Sequence, residues 1–331
     1  MNKTSGHRVN SSLYENKLLP GIYIFVFFMA LGTNGWGLKS LLQKWKKLGN
    51  INVFVLNLGL GNFLYLPALP FLAVYYLMEK NWIFGDAFCK ITRFCFNLNL
   101  YGSIGFLTCI SVYRYLAIVH PLRVMGRLTV THSVAISVMV WLLVSVQSLP
   151  DMFYDKTTNK NNTRKCYHTT SRASVEDYLR YSLGWTLTGF LIPLLITLGC
   201  YGHVIVVLCR TNTTDKVLKQ KCLKLLFILI LLFSVCYIPY HVLKNLTLYS
   251  RVLLNRNTLE IPWERGVFGA HQISRGLVCL NSALNPLVYL HTVEDISAQV
   301  RQLLQQTRQM FNCWCTSNPG RVPVSQNVDE V

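Results

Sequence analysis

The chain has 331 residues, of which 52% are hydrophobic and only 14% charged, and its formal net charge is +18. A soluble domain carries charge on about a quarter of its residues, so this composition excludes an ordinary soluble protein. The positive balance does not point to a nucleic-acid polymer either, because the basic residues are divided among many short connections between apolar runs.

Residues 1–17 are polar and lack the apolar core of a cleavable signal, so the first apolar segment is expected to target the chain. Seven apolar segments follow, near 18–42, 51–78, 87–119, 132–154, 178–209, 216–249 and 264–291. Each reaches the roughly 20 residues that cross a hydrocarbon core of about 30 Å. None alternates as a barrel strand does, and backbone groups in lipid must be satisfied within the chain. The expectation is an all-α membrane protein: a seven-transmembrane helix bundle over 18–292, a short amphipathic eighth helix over 293–312 and a cytoplasmic tail over 313–331.

Lys44, Lys46, Lys47, Arg123, Arg127, Arg210, Lys216 and Lys219 mark one side as cytoplasmic by the positive-inside rule. Asn2, Asn10 and Asn161 each open a glycosylation sequon on the other side, which places the N-terminus outside the cell. Asn212 and Asn245 also match, but fall on the cytoplasmic side and at a helix top, and are read as chance. Of 11 cysteines only Cys89 and Cys166 lie at the outer face, so they are expected to pair in that oxidising compartment. Cys95, Cys109, Cys200, Cys236 and Cys279 read as small buried residues, and Cys313 and Cys315 as palmitoylation candidates.

Proline recurs inside the segments, at Pro67, Pro70, Pro193, Pro239 and Pro286, and each removes a helix hydrogen bond and permits a kink. Asn34, Asn57, Asn62, Asn281, Ser282 and Asn285 sit at depths where lipid would penalise them and are expected to bond across helices. Asn57 reads as simple interhelical glue, Asn62 and Asn285 as part of a water-filled switch region. The charges are distributed unevenly. All 14 acids fall in loops, tails or segment ends, whereas Arg93, Lys244 and Arg275 enter the outer ends of three segments. Ionisable groups at membrane depth face a cavity and serve a function, and three cations without nearby acids call for an anionic ligand.

The ordered set of motifs resembles the rhodopsin-like G-protein-coupled receptors over nearly the whole chain. It comprises Gly32-Thr33-Asn34, Leu56-Asn57-Leu58, Cys89, Tyr113-Arg114-Tyr115, Trp141, Pro193 with Tyr201, Cys236-Tyr237-Ile238-Pro239 and Asn285-Pro286-Leu287-Val288-Tyr289. Trp82-Ile83-Phe84-Gly85-Asp86-Ala87-Phe88-Cys89, Tyr237-Ile238-Pro239-Tyr240-His241-Val242-Leu243-Lys244 and Gln272-Ile273-Ser274-Arg275 look like the metabotropic purinergic receptors, nearest their ADP- and ATP-sensing, phospholipase C-coupled branch. The resemblance implies a ligand site at Arg93, Asn97, Tyr101, His241, Lys244, Arg251, Gln272 and Arg275. It also implies a G-protein switch at Arg114, Tyr201, Tyr237, Pro239, Asn285, Pro286 and Tyr289. Arg93, Asn97 and Tyr101 are spaced to share one helix face, and Tyr101 is expected to pack on the base or ribose. Arginine offers a rigid fork to phosphate oxygens and lysine a mobile point charge.

The chain departs from that pattern in four respects, one being that no cysteine before Cys89 or between Cys236 and Cys279 supplies the second outer disulfide of many relatives. Tyr113 stands where the family's cytoplasmic arginine motif usually starts with an acid or histidine, which implies weaker restraint of the resting state. Asn62 replaces the sodium-site acid, so sodium control is not expected. His168 replaces a loop acid that follows the second disulfide cysteine in many relatives.

Other classes fit less well. Gly59-Leu60-Gly61-Asn62 has Asn where an intramembrane protease needs Asp, and neither a catalytic residue, a metal ligand set nor a cofactor is expected. Cys279 stands where a light sensor needs its lysine, and Phe96 where an amine receptor needs its counter-ion. The sequence therefore reads as a multi-pass plasma-membrane receptor for extracellular ADP or ATP, with a heterotrimeric G protein and membrane lipid as partners. The alternative is a receptor for a dicarboxylate such as succinate or 2-oxoglutarate, which would also call on cations of the third, sixth and seventh segments.

Overall fold

The computed structural model describes residues 19–43, 50–120, 129–160, 163–210, 224, 227–256 and 263–292. The expected glycosylation sites Asn2, Asn10 and Asn161, the eighth helix, and Cys313 and Cys315 lie outside the described residues, as do the tails 1–17 and 313–331. Pro286 and Tyr289 lie within a described helix of which only the backbone is described there.

The first span is helix α1 (Leu19–Gln43), and the second is α2 (Asn50–Tyr65) continued by α3 (Ala68–Leu77). Helix α4 (Asp86–Val119) forms the third span and α5 (Val130–Ser148) the fourth, closed by a 3-10 turn at Leu149–Met152. The fifth span joins α6 (Val175–Thr186) to α7 (Ile192–Arg210), the sixth ends in α8 (Ile238–Asn255), and α9 (Glu264–Thr292) is the seventh. Six of these spans are long and apolar enough to cross a membrane. The seventh, with 29 residues, is long enough but more polar, because it carries His271, Gln272, Arg275, Asn281 and Asn285 inward. The described ends of the spans lie within a few residues of the expected ones, except that the sixth runs to Asn255 where an end at 249 was expected. Large apolar side chains such as Phe28, Val146, Leu195 and Phe227 face outward, as they must where the solvent is lipid.

Three of the expected prolines interrupt the regular helix, by more than one route, whereas Pro70 lies within α3. Pro67 separates α2 from α3. Pro193 and Pro239 are each preceded by a π-helical turn, Leu187–Leu191 and Phe233–Tyr237. A proline ring clashes with the carbonyl four residues before it, and the extra residue of a π turn moves that carbonyl aside. Gly189 lies in the first of these turns, where an added Cβ would meet the Trp185 and Tyr101 rings at 2.8 Å.

Helix α4 is the hub, packing on α2, α5 and α7. Midway along it the buried amides form one connected network. The Asn62 amide donates to Asn34 Oδ1 (2.7 Å), while Asn62 Oδ1 accepts from Asn99 (2.9 Å) and Asn285 (3.0 Å). Ser282 donates to Asn99 Oδ1 at 3.1 Å, and Asn34 reaches the Ser282 carbonyl at 2.8 Å. The expected switch region is thus bonded side chain to side chain across four spans. Asn57 is the glue it was expected to be, accepting the Trp141 indole N–H at 2.9 Å.

The sequence reading missed a β-hairpin between the fourth and fifth spans. Strand β1 (Thr157–Lys160) pairs antiparallel with β2 (Thr163–Cys166), where threonines supply β-branched side chains. The Cys89–Cys166 disulfide ties β2 to α4, as expected, across a sequence separation of 77. Trp82 N–H donates to the Arg164 carbonyl (2.6 Å), and Trp82 packs with Tyr75, Phe84 and Phe88 beneath the hairpin. Gly85 caps α4 at φ 84, a conformation that favours glycine.

Closing a loop of 77 positions contributes about 4–5 kcal/mol by chain-entropy reasoning. Cys89→Ser should therefore lower the melting temperature and the cell-surface level of the protein, and normal values of both would refute a stabilising role for the bridge. Because the amide network carries no charge, the melting temperature should be the same in sodium chloride and choline chloride. Asn62→Asp should make it sodium-dependent, and sodium dependence of the unaltered chain would sink this reading.

Candidate functional site

At the disulfide end of the bundle, cations from three helices converge under the hairpin. Arg93 of α4 is 2% exposed, Lys244 of α8 3% and Arg275 of α9 3%. Burying an ion is expensive unless it is paired, so each partner matters. Arg275 donates to Gln272 Oε1 (2.6 Å), the Tyr76 hydroxyl (3.2 Å) and the Tyr23 hydroxyl (3.3 Å). All three partners are neutral. Arg93 donates to the Cys166 carbonyl at 3.3 Å, again neutral. Lys244 lies 5.8 Å from the Tyr178 ring centroid and 6.0 Å from that of Tyr240, within cation–π range.

His168, on the loop after β2, stands among all three. Its Nε2 lies 2.9 Å from the Tyr240 hydroxyl, and its ring packs edge-on against Phe96 and 5.8 Å from His271. Burial, reinforced by the charges of Arg275, Arg93 and Lys244, holds the imidazole well below the usual histidine range. His168 is therefore neutral and adds no fourth charge at physiological pH.

Several buried polar atoms around this cluster have no hydrogen-bond partner: Arg93 Nε, Arg275 Nε, Tyr101 Oη, His168 Nδ1, both ring nitrogens of His241, and His271 Nε2. Buried polar groups are ordinarily satisfied, so these atoms leave hydrogen-bonding capacity unused in and below the cluster.

Among the described residues one acid enters the cluster, although none is near the three cations in sequence. The 3-10 turn Leu149–Met152 carries Asp151 inward, where it is 1% exposed. Its carboxylate lies 2.6 Å from Lys156 Nζ and accepts from the Asn97 amide at 3.1 Å. Burial pulls the basicity of Lys156 down and Asp151 pushes it back up.

The expected ligand set thus divides. Arg93, Lys244, Gln272 and Arg275 come together, and Asn97 joins them through Asp151. Tyr101 and His241 lie deeper, where Tyr101 stacks on Trp185 (3.8 Å between centroids) and His241 on Phe190 (4.3 Å). Trp185 thereby covers a face of Tyr101 that was expected to meet a base or ribose. Arg251 is turned away, donating to Thr169 Oγ1 and the Thr170 carbonyl at 2.8 Å each, so it braces the loop. Asp151, Lys156, Tyr178 and His271 were missed. The spacing of His271 and Arg275 at i, i+4 was a usable signal for one of them. Only the tertiary fold could reveal the others.

At the opposite end, Arg114 keeps a buried Nε without a partner. Asn281 donates to the Tyr237 hydroxyl at 2.7 Å, joining α9 to the π turn of the sixth span.

The neutral state of His168 makes a pH prediction. The unfolded chain takes up a proton near pH 6.5 and the folded one resists it, so stability falls as pH drops through that value. The melting temperature of the purified protein should fall below about pH 6.5, and His168→Gln should flatten that fall. An unchanged slope would assign the loss to other groups.

Residues 38–289 match the family model described as 7 transmembrane receptor (rhodopsin family). The chain is 41% identical to purinoceptor 1 of Mus musculus over 273 residues, covering 82% of this chain and 73% of the mouse protein. It is 40% identical to purinoceptor 1 of Homo sapiens over 272 residues, with the same coverage of 82% and 73%. It is also 35% identical to 2-oxoglutarate receptor 1 of Rattus norvegicus over 277 residues, or 84% of this chain and 81% of the rat protein.

Proposed function

The chain belongs to the rhodopsin family of seven-transmembrane receptors, and on that premise we propose that it responds to an extracellular purine nucleotide, ADP or ATP. The signal passes through a heterotrimeric G protein to phospholipase C and calcium. The observation that carries this reading is the cluster of Arg93, Lys244 and Arg275, nearly removed from solvent and held by neutral groups and aromatic rings. A chain of phosphates supplies the negative charge that the cluster lacks, and the arginine forks suit its oxygens. The aromatic neighbours Phe96, Tyr178 and Tyr240 favour a ligand with a planar base, and relatives at about 40% identity carry the name purinoceptor.

The disulfide end faces outward in this reading, with the N-terminus and the sequons at Asn2, Asn10 and Asn161 on the same side. The ligand acts as a population shift. It draws Arg93, Lys244 and Arg275 together and must bind the active packing about 5.5 kcal/mol more tightly for a near-complete switch. The π turn before Pro239 and the Asn281–Tyr237 bond lie between the site and Arg114, and their repacking opens the G-protein face. Tyr201, Asn285, Pro286 and Tyr289 repack with them. The basic third loop and residues 293–312, with Cys313 and Cys315 as lipid anchors, meet G protein and anionic lipid.

A dicarboxylate is the second reading, supported by the 2-oxoglutarate receptor among the relatives and by the three histidines near the cluster. Calcium release in receptor-null cells expressing this chain separates the two, with ADP, ATP, UDP, UTP, succinate and 2-oxoglutarate compared side by side. A selective adenine-nucleotide response is expected. A response to a dicarboxylate alone would replace the ligand. Arg275→Ala should abolish the response while surface expression persists, and unchanged potency would remove Arg275 from the site.

A further inference from the structure

The cationic cluster has a fourth positive group that the ligand does not meet. Lys156 is wholly buried at the start of the hairpin, and its ammonium is held on three sides. Asp151 Oδ1 lies 2.6 Å from it, the Thr169 carbonyl accepts from it, and the Tyr178 ring centroid is 4.5 Å away. The same Tyr178 ring lies 5.8 Å from Lys244 Nζ, so one aromatic ring neighbours both lysines. The backbone fixes Lys156 as well, since its carbonyl accepts the Tyr167 N–H at 2.7 Å and lies 3.9 Å from Cys89 Sγ. Asp151 in turn holds Asn97, on the α4 face that carries Arg93. Among the described residues, the one buried carboxylate thus faces Lys156 and Asn97, with the Tyr178 ring beside both Lys156 and Lys244.

We propose that Asp151 is a specificity-determining residue: by pairing with Lys156 it withdraws a cation from the cluster and limits the ligand to the charge that Arg93, Lys244 and Arg275 can match. The inference rests on the anion-site reading above. Two consequences follow from electrostatics alone. Removing the Asp151 charge exposes a fourth cation beside Lys244 and should favour anions of higher charge. Removing the Lys156 charge instead leaves Asp151 to face Lys244 and should weaken every polyanion. A carboxylate that merely braced the hairpin would alter stability without reordering anions by charge.

The test uses the full-length protein, purified in lipid nanodiscs, and reads thermal stabilisation by inorganic phosphate, pyrophosphate and tripolyphosphate. These probes carry no base, so the ranking reports charge. In Asp151→Asn the apparent affinity ratio of tripolyphosphate to pyrophosphate should rise about tenfold over the unaltered chain. In the double variant Asp151→Asn with Lys156→Met it should return to the unaltered ratio. Lys156→Met alone should weaken both polyphosphates about tenfold, which keeps the idea testable if Asp151→Asn does not fold. An unchanged ratio in Asp151→Asn, a raised ratio that persists in the double variant, or an unaffected Lys156→Met each overturns the inference while leaving the anion site standing. If no polyanion stabilises even the unaltered protein, the anion site falls and this inference falls with it.

Discussion

Positive charge buried at one end of an apolar bundle is the constraint on which the rest of this structure depends. A guanidinium or ammonium loses most of its hydration when it is buried, and only charge or well-placed dipoles can offset the loss. Arg275 takes three dipoles, from Gln272, Tyr76 and Tyr23. Arg93 takes the carbonyl of a disulfide cysteine. Lys244 takes two ring faces. None of these neutralises a charge, and the polar atoms left without partners nearby show the compensation to be incomplete. This imbalance is what the proposed anionic ligand would correct.

The features that surround the cluster follow from that need. The disulfide places the Cys166 carbonyl where Arg93 can use it, and the hairpin is held over the bundle by the Trp82–Arg164 backbone bond and the aromatic packing of Trp82. Arg251, expected to meet the ligand, instead secures the Thr169–Thr170 segment, and the Thr169 carbonyl accepts from Lys156. In this packing Arg251 thus helps to hold the loop that shapes the site. His168 shows the same economy. A neutral imidazole can sit among three cations, where a second acid would have paired with one of them.

The seven segments were legible because membrane burial writes a long apolar run into the sequence, and their described ends fell close to the expected ones. The disulfide was legible from compartment and count. The cations were legible as residues that break a strong rule. What could not be read was partnership. Asn97 and Asp151 are 54 positions apart and belong to different spans, and nothing local in either joins them. Tyr101 shares a helix face with Arg93, as its spacing required, yet its ring is claimed by Trp185 across the bundle. The hairpin was not legible because strands of four residues leave too short a pattern of alternation.

The contrast between the two polar regions of the bundle bears on how it switches. At the disulfide end the charges are unbalanced, while buried polar atoms without a partner occur in both regions, Asn281 Oδ1 and Asn285 Oδ1 among them at mid-depth. At mid-depth Asn34, Asn62, Asn99, Ser282 and Asn285 are uncharged and mutually bonded. Interhelical hydrogen bonds of this kind are worth roughly 0.6–2 kcal/mol each, so one of them can be exchanged at modest cost. An ion at Asn62 would tie these helices together more tightly, and the asparagine removes the charge that would hold one. The packing therefore rests on several weak neutral bonds, whereas Arg93, Lys244 and Arg275 offer the proposed anion a few strong charged ones. Under that proposal, the difference in strength would let a small anion bound at one end bias the arrangement of helices along the bundle.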